Sequence, residues 1–152
     1  MTYDNLLIEA DREGLTVKEK PLQSADGRIK GKRIAIREDI PTLCQKSCVL
    51  AEEIGHYYTA AGNIIDIQDV RNIKQEQKGR IWAYDKMIGL IGIIKAYERH
   101  CLNRNEMAEF LDVTEEFLQD ALNYYKQKYG VFTVIDHYVI YFEPHLSVVE
   151  MY

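Results

Sequence analysis

The 152-residue chain has no excess of positive charge. Its 19 Lys and Arg stand against 24 Asp and Glu, giving a net charge of -5 and a pI near 5.4. Phosphate backbones are bound mainly by Lys and Arg, so nucleic acid is not expected as a direct partner. Long apolar runs are also missing. The most hydrophobic stretch, Met87 to Ala96, is broken by Gly89, Gly92 and Lys95 and falls far short of the roughly 20 residues that span a bilayer. No basic segment leading into an apolar core opens the chain, which points to a soluble, cytoplasmic protein with no membrane partner. Cysteine is scarce and odd in number. Cys44, Cys48 and Cys101 make no disulfide framework, so a reducing compartment and buried thiols are expected. Repeats, low-complexity tracts and flexible linkers are absent too. With 47% hydrophobic residues, one domain over residues 1–152 is the expectation.

What is present reads as α+β and mostly helical. A short helix over Asp4 to Arg12 stops at Gly14. Leu15 to Leu22 alternates loosely around Val17, and Arg28 to Lys30 and Lys32 to Ile36 alternate apolar with charged residues around Gly31. A small antiparallel N-terminal sheet is therefore expected. Thr42 with Gln45 three residues on forms a capping-box signature for a helix running to about Ala61, with Gly62 as its stop. A second long helix is expected over Val70 to Ile88 with Asp69 as cap, then helices over Ile93 to Cys101, Asn105 to Leu111 and Glu115 to Tyr129. The chain should close with a hairpin, Val131 to Ile135 and Tyr138 to Phe142, turning at Asp136-His137. On this reading residues 1–88 hold the sheet and the site helices, and 89–152 a helical segment with the hairpin.

The segment Cys48-Val49-Leu50-Ala51-Glu52-Glu53-Ile54-Gly55-His56-Tyr57-Tyr58 sets two carboxylates and an imidazole in an otherwise apolar or small-residue helix. At 100° per residue, Glu52 and His56 lie one turn apart on one side, with Glu53 adjacent to both. Leu43, Leu50, Ile54 and Tyr58 form an apolar stripe beside a small-residue stripe of Cys44, Cys48, Ala51 and Gly55, so the helix should be packed on most sides. Ionised groups there cost several kcal/mol, on the order of a lost core contact, unless paired or metal-bound. From spacing alone the simpler alternative stays open, with Glu52 and Glu53 facing solvent and His56 an ordinary core or surface histidine.

Glu52-Glu53-Ile54-Gly55-His56 resembles the zincin helix motif HExxH with glutamate for its first histidine. Its wider setting, CVLAEEIGHYYTAAGNIIDIQ followed by NIKQEQKGRIWAYDKMIGL, resembles the ImmA/IrrE family of metallopeptidases found on phages and mobile elements. That family follows the motif helix with a second one reading like E-x-E-A-N-x-F-A. Glu76-Gln77-Lys78-Gly79-Arg80-Ile81-Trp82-Ala83 falls in the same register, with lysine at 78 leaving Glu76 as the carboxylate, twenty residues after His56. The resemblance implies a zincin-like fold and a cytoplasmic metal-dependent endopeptidase. His56 and Glu76 would be ligands, Glu52 would fill the first-ligand position, and Glu53 would be the general base. A second carboxylate donor makes such a site harder and less zinc-selective than one with two imidazoles, so manganese or another divalent ion is admitted beside zinc. Cys48, one turn before Glu52, is a weaker donor candidate. The substrate implied is a helix-turn-helix repressor of the same mobile element. The alternative is a non-cleaving antirepressor that keeps the fold and grips the repressor.

Tyr57, directly after the presumed ligand, is a candidate for contact with a substrate carbonyl. His100, His137 and His145 are scattered and read as structural or solvated. The stretch from Glu106 to Phe117 has the cadence of a helix-turn-helix, but between Asn105 and Lys128 six acidic residues face two lysines. Packing of two helices at a fixed angle is the expectation there, not DNA reading.

Overall fold

A computed structural model describes residues 1–60 and 73–152. The chain divides into two compact units, Met1–Met87 and Ile88–Tyr152. The first unit opens with α1 (Tyr3–Arg12), started by a capping box in which Thr2 and Asn5 exchange backbone and side-chain hydrogen bonds. Gly14 follows with φ +77, the left-handed conformation that ends the helix. Strands β1 (Thr16–Lys20), β2 (Gly27–Lys30) and β3 (Arg33–Arg37) form a sheet in the order β1-β3-β2.

This sheet is mixed, which corrects the antiparallel expectation. β2 and β3 pair antiparallel around Gly31 (φ +60), but β1 pairs with β3 in parallel, Val17 opposite Ile34 and Glu19 opposite Ile36. The physical reason is burial. β3 carries the buried Ile34 and Ile36 and takes the centre, with β1 and β2 on its two sides. Alternation in the sequence fixes each strand's faces but not which strand lies in the middle.

Over the inner face runs α2 (Leu43–Thr59), capped by Thr42, whose hydroxyl accepts the Gln45 N–H at 3.1 Å. It buries Leu50, Ala51 and Ile54 completely, an apolar stripe against the fully buried Ile36 side of the sheet and Leu6 of α1. The helix ends at Thr59, two residues before the expected limit, and Gly62 lies outside the described residues. α3 (Ile73–Met87) packs along α2; the expected cap Asp69 and first turn from Val70 also lie outside the described residues.

The second unit starts with α4 (Gly89–Glu98), four residues earlier than expected. Gly89, with φ +63, turns the chain into the helix instead of out of the preceding one, and His100, with φ 59, turns it out again just past its end. α5 (Arg104–Leu111) and α6 (Glu115–Tyr129) follow as expected, joined by left-handed Asp112 and by Thr114, which accepts the Phe117 N–H at 3.0 Å. The expected hairpin, β4 (Phe132–Ile135) with β5 (Tyr138–Tyr141), turns at Asp136 (φ 54) but is only part of the sheet. A third strand, β6 (Ser147–Glu150), pairs antiparallel with β5. Four residues behind Pro144 and His145 carry too little alternation to announce a strand. Among the described residues no helix is long and apolar enough to cross a membrane.

Tyr3 ties α1 to the sheet. It is buried, and its hydroxyl donates to Glu19 Oε2 at 3.3 Å, while Lys46 of α2 holds Glu19 Oε1 at 2.6 Å. Burial first, then the Glu19 carboxylate, push the Tyr3 phenol from its ordinary 10.0 up to about 12. A raised folded-state value means that the unfolded chain loses its proton first, so this contribution is whole below pH 10 and is lost as pH rises toward 12. Chemical denaturation across that window should show falling stability, and Tyr3→Phe should flatten the fall.

Candidate functional site

The site is built where α2 and α3 cross with almost no side chain between them. A Cβ added to Gly55 would stand 3.1 Å from the Gly79 carbonyl carbon and 3.2 Å from Trp82 Cβ, and closer still to the Gly79 oxygen. A Cβ on Gly79 would stand 2.9 Å from His56 Cγ and nearer yet to Nδ1 and Cε1. Glycine inside a helix costs about 1 kcal/mol relative to alanine. Here that cost secures a backbone crossing close enough for the His56 ring to lie flat over Gly79.

Held in this way, His56 is 7% exposed and its Nε2 lies 3.4 Å from Oε1 of Glu76, which stands on α3 three residues before Gly79. Residues 56 and 76, twenty apart in the chain, are thus brought together. Two donors on one tetrahedral zinc, each with a bond of about 2.0–2.2 Å, stand about 3.4 Å apart. The pair therefore has the separation that a shared divalent ion requires, and imidazole with carboxylate is a donor set zinc and manganese both accept. Glu52 is half-buried one turn before His56 on α2. Among the described residues no group of three His, Cys, Asp or Glu side chains stands together as a ready metal cage.

Glu53 takes a different direction. It is 4% exposed, and its carboxylate lies over β2, with Oε1 3.1 Å and Cγ 3.0 Å from where a Gly27 Cβ would be; Val49 Cγ1 would be 2.7 Å away. Gly27 supplies the hollow that seats this carboxylate. Among the described residues β2 is bonded only to β3, which leaves its other edge without a partner strand there. Tyr57 is half-buried, edge-on to Tyr58 at 5.4 Å, and Tyr58 stacks on Trp82 of α3 at 5.2 Å. These rings extend the helix crossing past the His56 turn. Cys48 is buried. His100 and His145 lie exposed in the second unit, and His137 there packs at a tilt against the Tyr138 ring, centroids 4.3 Å apart.

The residues that sequence reasoning missed are the glycines at 27 and 79. A glycine within the helical pattern of residues 76–83 was the available signal, because such a residue lowers helix stability unless another backbone or side chain needs the space. Compared with protein-family models, with curated proteins and with solved structures, the chain matches none.

Gly79→Ala weighs a helix gain of about 1 kcal/mol against overpacking of a buried ring that costs typically about 1–3 kcal/mol. The collision with His56 should win. Thermal unfolding should show a less stable protein, whereas alanine at the exposed, neighbouring Gln77 should leave stability nearly unchanged.

Proposed function

We propose that the protein is a metal-dependent endopeptidase of the ImmA/IrrE kind whose substrate is a helix-turn-helix repressor. The observation that carries the reading is the His56–Glu76 pair, seated by Gly79 at a separation suited to one shared ion. His56 and Glu76 would hold the ion and Glu52 would add an oxygen. A divalent ion so held supplies Lewis-acid polarisation of the scissile carbonyl and a water that ionises near neutral pH.

The remaining chemistry falls to the chain itself. Glu53 takes a proton from the attacking water as its oxygen bonds to the carbonyl carbon. It then returns that proton to the departing amine nitrogen as the C–N bond breaks. Its burial over Gly27 keeps bulk water from competing for the carboxylate. The edge of β2 that has no partner strand among the described residues suits an extended substrate strand, which would add main-chain hydrogen bonds to the sheet. Tyr57, next to His56, would meet the substrate carbonyl.

A carboxylate in the first-ligand position favours a second reading. The extra negative charge would make the water less acidic, leaving a protein that grips the repressor without cutting it. The two readings part at Glu53. Glu53→Gln should lower repressor cleavage on the order of 10²–10⁴-fold while metal content and repressor binding persist. His56→Ala should lose the metal, and Glu52→His should raise zinc affinity. If the wild-type protein with zinc or manganese leaves the repressor intact yet relieves repression, and Glu53→Gln relieves it equally, the antirepressor reading stands instead.

A further inference from the structure

The N-terminal sheet has a second face, and its charge is of one sign. Register places Thr16, Arg33 and Lys30 in one cross-strand row and Lys18, Ala35 and Arg28 in the next, with Lys20 beside Arg37 in a third. Arg37 is taken by Asp26 and Asp39, each at 2.8 Å. The other five cations, Lys18, Lys20, Arg28, Lys30 and Arg33, are exposed and form no ion pair among the described residues. The single carboxylate in the three strands, Glu19, is turned to the opposite face, where Lys46 and Tyr3 hold it. Between the cations lies a shallow trough of about 470 Å³ floored by Ala35.

The whole-chain charge conceals this face. Residues 1–87 contain fourteen cations and fourteen carboxylates and are neutral, whereas residues 88–152 contain five cations and ten carboxylates and carry the entire net charge of -5. Arg33 and Lys30 stand directly opposite each other in the ladder, an arrangement of like charges that destabilises a strand pair. Folding gains nothing from it.

We infer that this face binds the phosphate backbone of a nucleic-acid duplex without reading its sequence. Neighbouring strands are about 4.8 Å apart, so Lys18 and Arg28 flank the Ala35 trough at roughly twice that distance, and their long side chains can grip a backbone lying between them. The three strands put no aromatic side chain on this face on which single-stranded bases would stack. Lys and Arg alone supply the sequence-independent term. The inference does not depend on the peptidase reading, because the cations lie on the side of the sheet facing away from Gly27 and Glu53.

The test is fluorescence anisotropy of a short labelled DNA duplex of arbitrary sequence with the full-length protein over a salt series. Five phosphate contacts predict a log–log slope of about -4 to -5, so affinity should fall on the order of 500-fold from about 50 to about 200 mM salt. Lys18→Gln with Arg28→Gln should make the slope shallower by about 2, with an unchanged circular dichroism spectrum because both residues are exposed. Lys95→Gln with Arg104→Gln, in the second unit, should change nothing. Absence of duplex binding at low salt, or a slope indifferent to Lys18 and Arg28, overturns the inference. So does tighter, Lys18- and Arg28-dependent binding of a polyglutamate peptide or of anionic phospholipid vesicles, which would assign the face to an acidic protein or to a membrane.

Discussion

The close crossing of α2 and α3 at Gly55 and Gly79 is the constraint from which the rest of the first unit follows. Two helices with ordinary side chains at their contact stand about 8–10 Å apart. Removing both Cβ atoms lets the Gly79 carbonyl approach Gly55 and leaves a flat seat for the His56 ring. With α3 that near, Glu76 reaches Nε2 of His56 without leaving the helix. On the same turn of α2, about 60° round from His56, Glu53 lies against β2, where Gly27 again yields the room. Three glycines, one on a strand and two on helices, therefore decide where an imidazole and two carboxylates can be kept inside an apolar layer.

Local signals in the sequence account for much of this. Thr42 with Gln45 and Thr114 ahead of Glu115 are side chains whose capping role depends on neighbours three residues away, so α2 and α6 begin where expected. Strand partnership depends on burial summed over the whole unit. For that reason the parallel β1–β3 pairing and the third strand β6 were not legible, although the faces of Ile34 and Ile36 were. The His56–Glu76 pairing could be anticipated only through resemblance to a known helix pair. Spacing within α2 gives Glu52 and His56 a common side, but it says nothing of a partner twenty residues on.

Charge shows the same division between local and global information. Counting Lys and Arg over the whole chain leads away from phosphate. The period of two in a strand, however, sorts Lys18, Lys20, Arg28, Lys30 and Arg33 onto one face and sends Glu19 to the other. Segregation of that kind is visible only once β1, β2 and β3 are known to be neighbours. A net charge near zero in residues 1–87 is thus compatible with a strongly positive surface.

Among the described residues the outer edge of β2 has no partner strand, and an unpaired strand is a template for another copy of itself. Two such edges meeting antiparallel would bring Arg28 and Lys30 of one molecule against the same pair of the other, cation facing cation on the same side of the joined sheet. Gly27 adds a backbone with no side chain to pack at the end of that edge. Like charges directly opposite each other disfavour such a pairing, whereas an extended chain that is neutral or negative meets no such repulsion.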